Sequence, residues 1–332
     1  MNTLCVDIGN FSVLTAVVGS KNTTLINKIR SLIVDVTHKG DVRDGLHVED
    51  SPLVEVKGKF FKLGRQAGRQ PGCLSAAEAG KNQPEIFLPM LFANTPDGFE
   101  GTVSMLVPSR DKMSETWIRS AILGTHTYSV NKTERTATFT DVEFHRESDT
   151  ALHYAYITGI VPQTAGTLMI DIGGGTVNAL IATFEDGELD ILWRESYDNR
   201  GGIALAKSIL DTDCVKAQKS MSVPAIMDAI ATGKRYVGNR PDRSFELVFD
   251  DCVKAWFKSI RVTVLSAADA YLDEVNNIIW MGGSTELLRP QLEDKEGQMV
   301  FPNPQLANIN ALIHLCGGQV ATIVAKERAN AA

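Results

Sequence analysis

Three short stretches of this chain carry the residue types that phosphate and metal chemistry needs. The fullest is Asp171-Ile172-Gly173-Gly174-Gly175-Thr176, set between the apolar run Leu168-Met169-Ile170 and a second, largely apolar run from Val177 to Ala182. Glycines carry no Cβ and adopt positive φ, so a ligand can come close to their backbone N–H groups. A carboxylate at the end of an apolar strand is poorly placed for packing and well placed to hold a hydrated cation. Phosphate on the amides with magnesium on the acid is the economical reading. A tight hairpin whose glycines serve turn geometry alone is the alternative.

A partial copy tips that balance. Asp7-Ile8-Gly9-Asn10-Phe11-Ser12 also follows a short apolar strand and precedes another, with Asn10 and Ser12 in place of glycine and threonine. The two Asp-Ile-Gly units lie 164 residues apart, about one domain, which points to an internal duplication. The third stretch is Met281-Gly282-Gly283-Ser284, where a strand over 277–281 meets a helix start. Its free N–H groups could receive an anion or a nucleoside sugar edge. No Gly-Lys-Ser/Thr P-loop occurs, and no G-x-G-x-x-G follows the first strand.

The surrounding pattern supplies elements to hold these turns. Strands are expected over 3–8 and 11–18, and a hairpin over 53–63 with Lys57-Gly58 at its tip. Residues 64–80 read as a glycine-rich loop, and 84–92 as a helix with Pro84 in its first turn. Apolar residues at 113, 117, 118, 121 and 122 follow the helical period. Strands over 125–131 and 135–144 flank a turn at 132–134, and a helix is expected over 147–160. Further on, Asp186-Gly187 turns the chain into a strand over 188–195, and Gly201-Gly202 opens a helix to about 210. Helices over 224–232, capped by Gly233, and over 245–272 follow. Lys234-Arg235 suits either the helix dipole or a nucleotide base and is left unassigned.

Length and composition bound the rest. The 332 residues suffice for two domains with separate cores, and a 44% hydrophobic, 22% charged composition is that of a soluble globular chain. A net charge of −7 argues against direct nucleic-acid binding or attraction to an anionic membrane. The five cysteines are scattered and never in a C-x-x-C spacing, which fits a reducing cytoplasm better than a disulfide framework or a zinc site. The N-terminus has no basic region and meets Asp7 at once, unlike a signal peptide, and no apolar run approaches membrane-spanning length. The six histidines show no ligand spacing.

The order and spacing of the three turns resemble the phosphate-1, phosphate-2 and adenosine motifs of the actin-like ATPase superfamily. Within it the chain is most similar to ParM-like (StbA-like) plasmid-segregation actins. The narrower likeness lies in its compact length, the strand pair over 127–144 leading to Arg146-Glu147-Ser148, and Asn303-Pro304-Gln305-Leu306-Ala307-Asn308.

That resemblance implies an α/β fold of two duplicated ribonuclease-H-like domains around an interdomain nucleotide cleft. Domain I would span 1–160, with helices from 306–332 packing back on it, and domain II would span 161–305. It also implies that Asp7 and Asp171 hold magnesium, through water, and that the amides of Gly9, Asn10, Phe11 and Ser12 and of Gly173, Gly174, Gly175 and Thr176 grip the phosphates of ATP or GTP. Gly282, Gly283 and Ser284 would bracket the adenosine, Gly201 and Gly202 would let the nucleotide approach, and Glu147 would orient the attacking water. Many relatives place a lysine in the second strand of the first motif, where this chain has Val13, Leu14 and Thr15. The implied activity is nucleotide hydrolysis coupled to head-to-tail polymerisation, serving plasmid segregation through a DNA-binding adaptor protein. Type III pantothenate kinases also begin with an Asp-x-Gly-Asn loop. A small-molecule kinase on the same fold, or a nucleotide-binding scaffold that does not polymerise, therefore stays open.

Overall fold

Continuous apolar runs make strands that must lie inside a sheet, while alternating runs make strands with one wet face. Both kinds occur here. The computed structural model describes residues 2–19, 25–75, 83–108, 111–219, 221–292 and 295–318. The chain divides into two compact units, one of residues 1–150 with the segment from Asn308 onward, the other of residues 151–307.

The first unit contains β1 (Asn2–Ile8), β2 (Ser12–Val18), β3 (Ile26–Arg30), β4 (Leu32–Asp35), α1 (Gly40–Asp44), β5 (Leu53–Val56), β6 (Lys59–Leu63) and α2 (Gly64–Ala67). It continues with β7 (Leu74–Ser75), α3 (Pro84–Ala93), β8 (Phe99–Val107), α4 (Lys112–Ile122), β9 (Gly124–Val130) and β10 (Thr133–Arg146). All ten strands join one sheet in the order β3-β2-β1-β8-β10-β9-β5-β6-β4-β7. Leu4, Val6 and Ile8 point to the same core as Val13, Ile29, Val103, Met105, Phe87 and Leu91. The other face of β1 is therefore the one that carries Asp7.

Helix α5 (Asp149–Ile157) leads into the second unit, which holds β11 (Thr167–Ile172), β12 (Thr176–Glu185), β13 (Glu188–Asp198), α6 (Gly202–Leu210), α7 (Asp213–Lys216), α8 (Val223–Ala231) and α9 (Glu246–Ala267). Then come β14 (Asn277–Met281), α10 (Arg289–Leu292) and β15 (Gln298–Val300), and α11 (Ala307–Leu315) returns the chain to the first unit. The sheet order is β13-β12-β11-β14-β15. Every residue of β11 is buried, the apolar Leu168-Met169-Ile170 as a central strand requires and Thr167 and Asp171 with them. Helix α9 covers the sheet with Phe249, Val253, Trp256, Phe257, Ile260 and Val264, spaced at the helical period.

The two sheets share a plan. In the first unit β1 pairs antiparallel with β2 and β2 with β3, while β1, β8 and β10 run parallel. In the second, β11, β12 and β13 repeat the antiparallel part, and β11, β14 and β15 the parallel part. The register repeats as well: Asp7 faces Leu14 as Asp171 faces Asn178, and Ile8 faces Val13 as Ile172 faces Val177. This is the duplication read from the two Asp-Ile-Gly units, now seen as geometry.

Several boundaries differ from the sequence reading. The turn expected at 132–134 falls one residue earlier, because Asn131 and Lys132 take the positive φ values, 52° and 69°, that a two-residue hairpin demands. Lys57-Gly58 and Asp186-Gly187 turn in the same way, as expected. Of the loop expected over 64–80, residues 64–75 hold α2 and β7, and 76–80 lie outside the described residues. The helix expected from 147 begins at Asp149, because Ser148 is left-handed at φ 65°. The long helix ends at Ala267, followed by a 3-10 turn over Asp269–Glu274.

Candidate functional site

Each unit gathers its share of the candidate residues at the carboxyl edge of its sheet, the edge where α/β folds bind ligands. The two loops close identically. Gly9 N–H donates to the Ser12 carbonyl at 3.0 Å, and Gly173 N–H to the Thr176 carbonyl at 3.0 Å. Those two amides are therefore spent inside their turns. The amides of Asn10, Phe11, Gly174 and Gly175 have no hydrogen-bond partner among the described residues.

What fixes the free amides is the anchoring of the carbonyls between them. In the second unit the first turn of α6 does this: Gly202 N–H donates to Gly173 O at 3.0 Å, Ile203 N–H to Gly174 O at 2.7 Å and Gly201 N–H to Gly175 O at 3.3 Å. A peptide plane held by its carbonyl on one side presents its N–H on the other. In the first unit the end of β3 holds the Gly9 carbonyl, behind the free Asn10 amide, and the Phe11 carbonyl, which shares its peptide with Ser12. Ser31 Oγ donates to Gly9 O, Ser31 N–H to Phe11 O at 3.1 Å, and Arg30 Nη1 to Phe11 O at 2.8 Å. The Arg30 guanidinium also stacks 3.4 Å from the centre of the Phe11 ring.

Gly201 and Gly202 thus have a packing reason to be glycine. A Cβ on Gly201 would stand 2.5 Å from Gly173 O, and one on Gly202 2.6 Å from Ser284 Oγ. The third turn is stitched to the same loop. Ser284 Oγ donates to Gly173 O at 3.1 Å, Ser284 N–H to Ile172 O at 3.1 Å, and Gly282 N–H to Pro304 O at 2.9 Å. Gly282 takes φ 90°, and a Cβ there would lie 2.4 Å from Asp171 Oδ1. The Asp171 carboxylate, 5% exposed, therefore rests directly against this turn. Asp171, Gly173, Gly174, Gly175, Thr176, Gly201, Gly202, Gly282, Gly283 and Ser284 form one contiguous group.

In the first unit, Asp7, Gly9, Asn10, Phe11 and Ser12 share the carboxyl edge of the parallel strands with Glu147. Arg146 is level with Val107 at the end of β10, and Glu147 N–H donates to Val107 O at 2.9 Å. Next to it, Ser148 N–H donates to the Asn308 side chain at 3.1 Å, tying this corner to α11. Glu147 accordingly sits on a strand-to-helix corner, before α5 begins.

The sequence reading passed over the cations of β3. Lys28 faces Leu14, which faces Asp7, so all three occupy one row of the sheet. Burial, with the nearby Arg30 and Arg65 guanidiniums, holds the Lys28 ammonium below the usual lysine range. Positive charge missing from β2 is thus present one strand over. Lys-x-Arg alternation on a strand next to an Asp-x-Gly turn is the signal that would have found it.

No protein-family model matches the chain, and no curated protein matches it. Solved structures do. Ta0583, an archaeal actin homologue crystallised in complex with ADP, superposes with a TM-score of 0.71 at 16% identity, over 96% of this chain and 99% of that one. ParM from a 15-stranded filament of Clostridium botulinum gives 0.71 at 15% identity, over 95% and 98%. The actin-like protein Alp7A gives 0.69 at 17%, over 94% and 95%. At such identities the likeness speaks for architecture, and it agrees with the repeated sheet plan and the paired turns. The chain has the actin-like ATPase fold.

Proposed function

We propose that this protein is an actin-like nucleoside triphosphatase that assembles head-to-tail into filaments with ATP or GTP and magnesium. The observation that carries the reading is the pair of matching loops, each with carbonyls anchored behind and free amides in front, each following an aspartate at the same register. Such loops suit β- and γ-phosphates, one loop contributed by each unit. Gly282, Gly283 and Ser284 would bracket the nucleoside.

Magnesium suits this donor set. Among the described residues no group of three or more His, Cys, Asp or Glu side chains could hold a metal ion. Asp7 and Asp171 at equivalent strand ends are the hard oxygen donors that magnesium takes when phosphates and water complete its shell. It would offset phosphate charge, with Lys28 and Arg30 adding to that on the side of the first loop. Glu147 would accept a hydrogen bond from the attacking water and orient it, as phosphoryl transfer to water requires.

An asymmetric contact that adds protomers head-to-tail does not close on itself, so growth is open-ended. Triphosphate binding would favour the filament conformation and hydrolysis would release it. Similar solved structures include a ParM filament, an ADP complex of an archaeal actin homologue and a ParM with ATP, and these support the reading. Such a filament would move plasmid DNA through a DNA-binding adaptor, in the cytoplasm. Light scattering and electron microscopy with ATP, GTP and no nucleotide test it. Nucleotide-dependent polymers with phosphate release are expected. A soluble dimer whose turnover needs an added acceptor would instead establish the kinase.

A further inference from the structure

The outward face of α4 breaks the rule that an exposed helix face is polar. Met113, Thr116, Trp117, Ser120 and Leu123 follow one another along it, all exposed and none charged. Met113 is 69% and Trp117 64% exposed. The two hydroxyls on this face turn inward on their own helix, Thr116 to Lys112 O at 2.7 Å and Ser120 to Trp117 O at 2.8 Å. The face therefore offers water little to bind, and large exposed aromatic groups of this kind mark interaction sites.

The second unit holds a matching hollow. Between α6 and α9 a cavity of about 460 Å³ is lined by Ala204, Ser208, Val248, Cys252, Ala255 and Trp256. Leu247, 94% exposed, stands beside it on α9. Asp251 and Arg200 are on its rim, Arg200 with its Nη1 donating to Ser259 Oγ at 2.8 Å, and Lys112 precedes Met113 on α4. Neither Asp251 nor Lys112 has an ion-pair partner among the described residues. An uncharged aromatic knob beside a free cation thus has, on the same chain, an apolar hollow beside a free anion.

We infer that Trp117 and Met113 of one copy of this chain insert between α6 and α9 of the next copy, with Lys112 against Asp251. Knob and hollow are different surfaces, so each added copy leaves one of each unused, which is the condition for an open polymer. The inference rests on the head-to-tail assembly proposed above and supplies its contact. It also gives the contact a route to the nucleotide. Trp256 Nε1 at the hollow donates to Arg200 O at 2.8 Å, and the next two residues, Gly201 and Gly202, hold the carbonyls of the second loop.

The test uses full-length protein with ATP and magnesium, with folding of each variant checked by circular dichroism and nucleotide binding. Trp117→Glu removes the knob and Ala255→Trp fills the hollow. Each alone should raise the critical concentration about tenfold or more. Mixed together, they should form a 1:1 dimer in sedimentation and nothing longer, because one intact knob meets one intact hollow. Ser120→Cys, which keeps Trp117 and lies on the same face, oxidised with diamide, should give an intermolecular ladder that Cys252→Ser abolishes. Wild-type polymers with unchanged Trp117→Glu and Ala255→Trp assembly, or a ladder indifferent to Cys252→Ser, overturn the contact and leave the filament reading intact. Absence of wild-type polymers overturns the filament reading itself.

Discussion

At the level of single residues, this chain spends side-chain freedom to bring backbone together. Gly282 has both a left-handed φ and a carboxylate where its Cβ would be. Gly282→Ala should cost roughly 2–4 kcal/mol in urea unfolding, combining backbone strain with overpacking, and should displace Asp171. Asp171→Ala should instead leave the fold largely intact and weaken magnesium-nucleotide binding at least tenfold in calorimetry. A different residue contributes to the pH dependence of stability. Lys62, 2% exposed, donates to Ser51 O and contacts His47 Nδ1, and burial lowers its pKa to about 8. Between pH 8 and the ordinary lysine range the unfolded chain holds a proton there that the folded chain has lost, so stability rises with pH across that window. Lys62→Met should lack that rise, roughly 2 kcal/mol between pH 8 and 10 by urea titration. The two aspartates and the glycines were legible in the sequence because the same order, apolar strand, Asp-Ile-Gly, second strand, occurs twice. Lys28, Arg30 and Ser31 were not, because a short strand with two basic residues looks like any solvated edge until its register is known.

At the level of elements, the helix start at Gly201 and the strand end at Arg30 both anchor loop carbonyls, with different chemistry. One uses the unpaired N–H groups of a helix N-terminus, the other a hydroxyl, an amide and a guanidinium. Pattern reading found α6 from the glycine pair that opens it, but the direction of its free amides, toward loop carbonyls, depends on a contact between residues about thirty apart in sequence. The same limit applied to Ser148: nothing local announces a left-handed residue that delays α5 and puts Glu147 on a corner. Two consequences follow for this framework. Gly201→Ala forces a Cβ to within 2.5 Å of Gly173 O and 2.8 Å of Gly174 backbone atoms. It should unseat the second loop and weaken nucleotide binding while the first loop keeps its geometry, a difference that chemical-shift mapping would register. Glu147→Gln keeps the shape of the corner and removes the carboxylate proposed to orient the attacking water. Hydrolysis should fall by about 10²–10⁴-fold while nucleotide binding and assembly persist, giving longer-lived polymers in a phosphate-release assay run beside light scattering. Unchanged hydrolysis would remove Glu147 from the reaction.

At the level of the whole molecule, the duplication makes a demand that neither half makes alone. Two loops with the same register, the same internal hydrogen bond and the same leading aspartate are equivalent in backbone geometry, and one triphosphate has phosphates enough for both. If they serve one ligand, Asp7 and Asp171 hold the same magnesium, and removing the second acid costs less once the first is gone. The expected result is a double-mutant cycle that fails to add. Asp7→Ala and Asp171→Ala should each weaken magnesium-ATP binding, and the double variant should be tighter than the product of the single effects by a coupling of about 0.5–3 kcal/mol. Repeating the cycle with ATP in excess EDTA should abolish the coupling, since the shared ion is then absent. Two loops acting on separate ligands would instead give effects that add with and without the metal. The distinction bears on the proposed assembly, because a nucleotide held by both units would tie their conformations to its hydrolysis, and that tie would let the γ-phosphate decide whether a protomer stays in a filament.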